Sequence, residues 1–266
     1  MATGNIDQDQ MSAQDTILEE EEETEGMTLV EHLEELRWRI IKSLLAIAVG
    51  AIVAFIFREP IMQFLQSPLP KLANQFGGPG HGLTVTGIGE GFTVTLLVSL
   101  AAGFIIALPV TLYQTWAFIS PGLYEREKKH AVPFILLGIA LFVAGISLGF
   151  FVLRYPVEWL VSFASSSFNE LITAGSYFHF VAFFLLAFGV IFELPLVLTF
   201  LARIELITVD TLKKKRSVAH IGMWLAAAFI MPGADPYSPI ILGVAMSCLY
   251  ELTILFIKFF IKPEEA

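Results

Sequence analysis

Long apolar segments dominate this sequence and limit what the chain can fold into. Six of them reach or approach the roughly 20 residues that a helix needs to cross about 30 Å of hydrocarbon. Hydrophobic residues make up 56% of the 266 residues and charged residues only 15%, far from the balance of a soluble domain. The chain is therefore predicted to be a polytopic membrane protein. The expected spans are residues 40–57, 92–118, 131–153, 177–202, 217–231 and 239–260.

The spans are predicted to be helices, which makes the fold class all-α. In lipid every backbone amide and carbonyl needs an internal partner, and only helices and closed barrels provide one. No segment shows the two-residue alternation of a barrel strand. We therefore expect six transmembrane helices.

Lysine and arginine are distributed unevenly between the loops that join the predicted spans. Cytoplasmic loops carry an excess of these residues, and this bias sets the orientation. With the N-terminus in the cytoplasm, only Arg58, Lys71 and Arg154 fall on the outer side. Both termini are therefore predicted to be cytoplasmic. The basic residues on the cytoplasmic side are then Arg37, Arg39, Lys42, Arg126, Lys128, Lys129, Arg203, Lys213, Lys214, Lys215, Arg216, Lys258 and Lys262.

Two polar tails flank the predicted membrane domain, residues 27–262. Residues 1–26 are acidic, with five glutamates from Glu19 to Glu23, so we expect a disordered cytoplasmic tail. This segment lacks the basic and apolar regions of a secretory signal. Residues 263–266 form the second tail. No cofactor or metal is predicted, because the five histidines lie far apart in sequence.

A capping pattern marks the start of the first helix. Thr28 and Glu31 have the spacing of a capping box, which predicts an amphipathic surface helix leading into the membrane. Glu35 lies on its polar face. It can pair with Arg39 one turn later, or it can bind a cation from outside the chain. Spacing alone favours the internal pair.

Acidic residues also occur in the next predicted cytoplasmic loop, residues 118–130 with the sequence FISPGLYEREKKH. Glu125 and Glu127 lie there among positive charges, although topology does not require carboxylates. They can pair with the neighbouring basic residues or bind a cationic visitor. Spacing does not decide between these alternatives.

The segment GVIFELPLV, Gly189 to Val197, places a carboxylate in the fourth predicted span. Glu193 lies ten residues before Arg203, about 15 Å along a helix and near the middle of the bilayer. None of its neighbours one turn away has a side chain that can hydrogen-bond it. A charged carboxylate at this depth costs about 2.5 to 3.5 kcal/mol on insertion scales. We predict that Glu193 either fixes helix packing through an internal polar contact or docks a group arriving from the lipid.

Two prolines lie inside predicted spans, Pro109 in the second and Pro195 in the fourth. Proline cannot donate to the carbonyl one turn earlier, so each is expected to kink its helix. Kinked helices form concave surfaces. We therefore expect a concave polar site facing lipid beside Glu193.

The last two spans supply further candidates. Glu251 lies at a depth similar to that of Glu193 and is expected to form an interhelical hydrogen bond or to belong to a functional site. Residues 217–231 are short for a span, so we expect a thin, wet region of membrane beside Glu193. Asp235 lies in the tight link between the two spans and is expected at the outer surface.

A glycine-rich stretch, GIGEG from Gly87 to Gly91, precedes the second predicted span. It is not a dinucleotide-binding fingerprint, because no strand precedes it. We interpret it as a flexible entry into the span.

Four motifs together resemble one family, the TatC component of the twin-arginine protein translocase. HLEELRWRI at residues 32–40 resembles the family's entrance motif, with Ile40 where leucine is usual, and FISPGLYERE at residues 118–127 resembles its first cytoplasmic loop. GVIFELPLV resembles its fourth span, and MPGADPYSP at residues 231–239 is a looser match to its third outer loop. The resemblance covers residues 27–260, with the motifs in the family's order.

The resemblance implies a receptor in the cell (inner) membrane and not an enzyme. Family members bind the twin-arginine signal peptides of folded cargo proteins in the cytoplasm. They assemble with the single-span partners TatA and TatB into a transient pore driven by the proton gradient, and self-association is expected in the assembled receptor. The family's contact with TatB falls on residues 217–231 here, and its outer-loop aspartate falls on Asp235.

The resemblance also assigns roles to the acidic residues. The family's arginine-binding carboxylates fall on Glu35 and Glu127, with Glu125 as a helper, which reverses the preference for an internal Glu35 pair. Guanidinium groups pair bidentately with carboxylates, so two acids on separate segments can bind two arginines at once. The family's intramembrane glutamate falls on Glu193, where a polar residue of a partner helix or the hydrophobic segment of the signal peptide would dock.

A proton-coupled secondary transporter of a small solute, with Glu193 and Glu251 as relay sites, is the alternative function. Such a transporter should show an internal repeat and polar residues along several spans, and the sequence shows neither. An intramembrane hydrolase would need a serine, histidine and acid cluster or a set of metal ligands at matching depth. No such cluster is expected from the sequence.

Overall fold

Ten α-helices form the described part of the chain in a computed structural model. The structure describes residues 29–69, 83–120, 131–164, 172–204, 206–231, 233 and 235–260. The predicted all-α fold is confirmed there, since extended structure is limited to one isolated bridge between Thr84 and Thr173. The helices are α1 Leu29–Ile56, α2 Arg58–Gln66, α3 Glu90–Ile119, α4 Ala131–Val152, α5 Arg154–Ala164, α6 Ala174–Ile191, α7 Leu194–Arg203, α8 Val209–Lys214, α9 Arg216–Ile230 and α10 Tyr237–Phe260.

Five helical stretches in the described residues are long and apolar enough to cross a membrane. The predicted fifth span corresponds to α9, which is apolar but has only 15 residues, about 22 Å at the usual helical rise. Length therefore supports five of the six predicted spans, and composition alone supports the sixth. The five stretches are Val30–Ile56, Glu90–Ile119, Ala131–Ser162, Ala174–Arg203 and Tyr237–Phe259.

The chain divides into two units, Met1–Lys42 and Ser43–Ala266. In the first unit the described residues are the beginning of α1, which starts at Leu29 as the capping pattern predicted. Thr28 and the acidic segment 1–26 lie outside the described residues, so the predicted cap and tail stay predictions. The second unit contains the rest of α1 and the other nine helices.

Helix α6 lies at the centre of the second unit, where it packs against α3 and α4. A broad face of α6 is buried, and its phenylalanines at 178, 184 and 188 are almost inaccessible. The opposite face leaves Phe183 and Val190 exposed, as expected for a helix that faces lipid. The core is therefore built on one side of α6.

Glycines allow α4 and α6 to approach closely. A methyl group placed on Gly145 would lie 2.6 Å from the carbonyl oxygen of Phe188 and 2.8 Å from the Cβ atom of Phe192. In the other direction, the Phe142 ring of α4 fills the space over Gly189 of α6, where a Cβ would lie 2.7 Å from the ring. Small residues at membrane helix interfaces permit this approach, and packing rather than water exclusion then drives association.

The fourth predicted span is interrupted where the sequence predicted a kink. Helix α6 ends at Ile191, Phe192 and Glu193 form a turn, and α7 begins at Leu194 with Pro195 in its first turn. Proline is tolerated there because first-turn amides need no intrahelical partner. Helix α3 is continuous through Pro109. The predicted kink at that proline stays a prediction.

Two contacts fix the beginning of α6 to neighbouring segments. Thr84 exchanges backbone hydrogen bonds with Ile172 and Ala174 at 2.9 and 2.8 Å. The Tyr177 hydroxyl donates to the carbonyl oxygen of Leu65 at 2.7 Å, which holds α2 against α6. The segment before α3 and helix α2 are therefore both attached to the beginning of α6.

We predict that Gly145→Ala destabilises the protein by about 1 to 3 kcal/mol, the usual cost of overpacking, because the carbonyl of Phe188 cannot move aside as a flexible side chain can. The measurement is the thermal unfolding midpoint of the detergent-solubilised protein. Gly222→Ala is the matched control, since a methyl group there meets nothing within 4 Å. Equal midpoints for the two variants would contradict close α4–α6 packing.

Candidate functional site

Glu35 lies in the first unit and is paired within its own helix. Its Oε1 atom accepts a hydrogen bond from Arg39 Nε at 2.9 Å and a second one from Arg39 Nη2. The side chain of Glu35 is only 17% exposed. Its Oε2 atom is buried and has no hydrogen-bond partner among the described residues. The internal pair with Arg39 is therefore present, and one carboxylate oxygen is left over.

The other two predicted arginine-binding carboxylates, Glu125 and Glu127, lie outside the described residues. An aromatic cluster brings together the helices that flank them. The Trp116 ring on α3 lies 4.6 Å from the Phe134 ring on α4, and both rings lie 6.3 Å from Phe200 on α7. The two ends of the acidic loop are therefore held to one another and to the end of α7, which the sequence analysis did not anticipate.

Glu193 is the N-cap residue of α7 at the break after α6, and its side chain makes no capping hydrogen bond there. The side chain extends toward Gly138 of α4. A Cβ placed on Gly138 of α4 would lie 3.2 Å from Glu193 Oε2, 2.8 Å from Leu112 Cδ1 and 3.1 Å from Leu196 Cδ2. The carboxylate thus occupies the space left by the missing side chain of Gly138, between two leucines. Both of its oxygens are buried and have no hydrogen-bond partner among the described residues.

An unpaired buried carboxylate is unusual. Most buried polar atoms in folded proteins are hydrogen-bonded, and leaving one unpaired costs about 1 to 3 kcal/mol, more for charged groups. Of the two predicted roles, an internal polar contact would require a partner that the described residues do not supply. Glu193 instead has two acceptor oxygens that are unsatisfied and enclosed, so a donor from outside would reach them only after a local rearrangement.

The predicted thin, wet region beside Glu193 stays a prediction. The short helix α9 packs mainly against α10, and α7, which begins directly after Glu193, also packs against α10, while the carboxylate itself lies over Gly138 of α4. Sequence distance could not reveal this, because the order of helices along the chain does not determine which ones pack together. Helix α10 therefore packs against both the short helix α9 and the half of the fourth span that follows Glu193.

Glu251 of α10 is fully engaged with α9. Its two oxygens accept hydrogen bonds from Arg216 Nε and Nη2, each at 2.5 Å, and Oε1 also contacts His220 Nε2 at 2.8 Å. The bidentate pair matches the planar geometry of a guanidinium group. The predicted interhelical hydrogen bond is therefore confirmed, and Glu251 is a packing contact between α9 and α10.

A serine, histidine and acid chain runs through this contact, contrary to the sequence expectation. His220 Nδ1 lies 3.1 Å from Ser247 Oγ, while its Nε2 atom contacts Glu251. Nucleophilic catalysis also needs donors for a developing oxyanion. Ser247 lies in the interior of α10, where backbone N–H groups bond to carbonyls one turn earlier. The chain of contacts joins two helices and offers no such donors from its backbone.

Asp235 is buried, although it was expected at the outer surface. Its Oδ1 and Oδ2 atoms accept hydrogen bonds from the Ser238 backbone N–H and hydroxyl, both at 2.7 Å, and the residue is only 4% exposed. These are the contacts of a helix cap. Asp235 therefore stabilises the start of α10. Its predicted role in an outer loop stays a prediction.

Glu90 is a structural residue that the sequence analysis missed. Its Oε1 atom accepts from the backbone N–H of Gly175 at 2.8 Å, and its Oε2 atom accepts from the backbone N–H groups of Thr86 and Gly87 at 2.6 and 3.2 Å. The GIGEG stretch is thus hydrogen-bonded to the start of α6 rather than forming a flexible entry. A carboxylate in the first turn of a helix was the available signal.

Sequence comparisons identify related proteins over most of the chain. The family described as Sec-independent protein translocase protein (TatC) matches residues 31–244. The protein TatC of Desulforapulum autotrophicum is 38% identical over 245 residues, which are 92% of this chain and 89% of the relative. The protein TatC of Carboxydothermus hydrogenoformans is 36% identical over 244 residues, 91% of this chain and 97% of the relative.

Structural comparison gives the same result. A crystal structure of the twin arginine translocase receptor TatC matches with a TM-score of 0.72 and 33% identity, covering 86% of this chain and 99% of that one. A second crystal structure of the receptor, in the detergent DDM, matches with a TM-score of 0.73 and 32% identity. The chain therefore belongs to the TatC family of Sec-independent protein translocase proteins.

Proposed function

We propose that this protein is the receptor subunit of a twin-arginine translocase. It binds the twin-arginine signal peptides of folded proteins at the cytoplasmic face of the cell membrane and recruits single-span partners for export driven by the proton gradient. The observation that carries the proposal is the similarity of nearly the whole chain to crystal structures of a twin arginine translocase receptor.

The proposed topology has six spans with both termini in the cytoplasm. Helix α9 is the sixth span, and its 15 residues require local thinning of the bilayer or exposure of its ends. The excess of lysine and arginine in the loops assigned to the cytoplasm supports the orientation. In this proposal the protein is a multi-pass component of the inner membrane.

The proposed peptide site uses Glu35 and Glu127, with Glu125 as a helper. At Glu35 the geometry is suitable, because Oε2 has no partner while Oε1 is fixed by Arg39. An incoming guanidinium would bind Oε2 after a local rearrangement that exposes this buried oxygen. Two carboxylates on separate segments would then bind the two arginines of a signal peptide.

The proposed partner site centres on Glu193. A polar side chain on the single helix of TatA or TatB, or the hydrophobic segment of the signal peptide beside it, docks against the free carboxylate. Gly138 belongs to this proposed site, because the carboxylate fills the space over it and a larger residue there would collide with Glu193 and both leucines. In this proposal, residues 217–231 form the contact with TatB. Asp235 is the aspartate of the outer loop. The receptor also self-associates in the assembled translocase.

The small-solute transporter receives no support. Its proposed relay group Glu251 is bound by Arg216 and His220, and no hydrogen bond links it to Glu193 among the described residues. Family membership also points to protein transport. A relay through these two acids is therefore not proposed.

We expect Glu35→Lys and Glu127→Lys each to weaken binding of a twin-arginine peptide by about ten- to a hundredfold. Each removes a charge-assisted contact, of a kind worth about 1.5 to 3 kcal/mol. Binding is measured by crosslinking a photoreactive peptide to the purified protein. Glu34→Lys is the matched control, because Glu34 is an exposed neighbour with the same charge change. Undiminished crosslinking in the Glu35 and Glu127 variants would remove the assignment.

A twin-lysine peptide tests the geometry of the same site. Lysine carries a point charge without the planar arrangement of donors that arginine offers. We expect the wild-type protein to crosslink the twin-lysine peptide much less than the twin-arginine peptide. Equal labelling would mean that the acidic residues attract positive charge without recognising guanidinium groups.

Glu193→Ala should leave peptide crosslinking largely intact and reduce copurification of TatA and TatB. Because the carboxylate has no internal partner, its removal should leave the unfolding midpoint unchanged or raise it. Gly138→Ala, which fills the space beside the carboxylate, should also reduce copurification. A lower midpoint for Glu193→Ala would support a packing role instead. Wild-type behaviour of Glu193→Gln would show that hydrogen bonding suffices without charge.

The contact between α9 and α10 is tested by Arg216→Gln, Glu251→Gln and the double variant. Each single change should lower the unfolding midpoint by less than Gly145→Ala does, because the Arg216 side chain is 57% exposed and solvent screens the pair. The double variant should lose less than the sum of the two. Unchanged midpoints together with lost export would indicate that Glu251 has a functional role.

A further inference from the structure

A second feature lies within the second unit, and Glu193 is not among the described residues that form it. A cavity of about 620 Å³ opens between α2, α3, α4 and α6. This size falls in the range of small-molecule sites, about 300 to 1,000 Å³. Its walls are almost entirely apolar, with Ile61, Val98, Ile105, Phe150 and Leu185 among them. A cavity with such walls does not retain water and favours a hydrocarbon occupant.

Helix α2 covers one side of this cavity. None of its residues is buried, yet two contacts hold it in place. The Phe64 ring stacks on Phe150 of α4 with centroids 4.4 Å apart and planes within 5° of parallel. The Leu65 carbonyl accepts the hydrogen bond from Tyr177 of α6. Helix α2 therefore acts as a fixed cover with its outer face exposed, as an interfacial amphipathic helix would be.

Among the described residues of the cavity lining, one has a basic side chain, Arg154 at the start of α5. Its guanidinium lies 4.7 Å from the centroid of the Tyr155 ring and donates to the Tyr155 hydroxyl at 2.9 Å. A guanidinium has five N–H donors, so most remain available on an exposed side chain. Glu158 on the same helix attracts Arg154. Glu158 is not among the described residues that line the cavity, and none of those residues is acidic.

The other polar groups of the lining do not compete for an anion. Ser67 donates its hydroxyl to the Phe64 carbonyl at 2.8 Å, and Ser147 donates its hydroxyl to the Val143 carbonyl at 2.7 Å. Arg154 follows directly after α4, a helix in one of the membrane-spanning stretches. The positive charge thus lies beside the mouth of an apolar cavity, at the end of a hydrophobic helix.

We propose that this cavity is a binding site for an anionic phospholipid. One acyl chain fills the apolar cavity under α2, and the headgroup phosphate pairs with the Arg154 guanidinium. Charge complementarity selects an anionic headgroup, because the described residues of the lining offer a cation and no carboxylate for a choline or ethanolamine amine. The inference rests on the membrane fold and is independent of the proposed peptide and partner sites.

A neighbouring cavity provides an internal comparison. It has a volume of about 630 Å³ and is bounded by α1, α3 and α6. It shares Ala101, Ala182 and Leu186 with the first cavity, and its described lining contains His179 but no lysine or arginine. The two cavities therefore match in size, and among their described residues only the first contains an arginine.

The test uses the purified full-length protein in detergent, titrated with phosphatidylglycerol or with phosphatidylcholine of the same acyl chains. Bound lipid is counted by native mass spectrometry. The wild-type protein should retain phosphatidylglycerol in preference to phosphatidylcholine. Arg154→Gln should weaken phosphatidylglycerol binding about fivefold, as expected for one basic residue near a membrane surface, and abolish the preference. Ala102→Phe, which fills the cavity, should reduce retention of both lipids.

Two control variants complete the test. Arg58→Gln removes another arginine, whose guanidinium stacks on Phe55 outside the cavity lining, and should leave lipid retention unchanged. Leu97→Phe alters only the neighbouring cavity and should also leave the preference unchanged. If Ala102→Phe does not fold, the result for Arg154→Gln decides the test, because Arg154 is exposed and its substitution should not disturb folding. Equal retention of the two lipids by the wild-type protein, or an unchanged preference in Arg154→Gln, would overturn the proposal.

Discussion

The close packing of α4 on α6 is the constraint on which the rest of the structure depends. In lipid, helices gain little from excluding water, so their association relies on contact between well-fitted surfaces. Gly145 lets the carbonyl of Phe188 approach α4, and Gly189 receives the ring of Phe142. This packing holds the broken fourth span in place, and with it the position of Glu193. The position of the carboxylate thus depends on a contact between residues with apolar side chains or none.

The acidic residues in the helical region differ in whether their oxygens are satisfied. Glu90, Asp235 and Glu251 each use both oxygens for hydrogen bonds to a neighbouring segment or helix. Glu193 has no such bond among the described residues. Because an unsatisfied buried carboxylate destabilises the fold, its presence suggests an external partner. Hydrogen bonding, more than depth in the membrane, separates the structural acids from the candidate docking residue.

The sequence predicted features that depend on local chemistry and missed those that depend on packing between distant segments. The length of the apolar segments predicted the long helices, and Pro195 predicted the interruption beside Glu193, since each feature depends on residues that are consecutive in sequence. Glu90 bonds to Gly175, 85 residues away, and His220 bridges Ser247 and Glu251. Such pairs need the relative placement of helices. The four motifs identified the family without knowledge of this placement, because they were matched by residue type and order along the chain.

The internal pair of Glu35 fits its proposed role better than a free side chain would. Ordering a glutamate side chain costs up to about 1.5 to 2 kcal/mol in lost rotamer freedom. Arg39 already holds Oε1 of Glu35, so its conformation is restricted before any peptide binds. The remaining oxygen, Oε2, is buried without a partner, so a guanidinium that reaches it after a local rearrangement meets a pre-oriented acceptor. The two interpretations of Glu35, internal pair and arginine site, are thus compatible within one geometry.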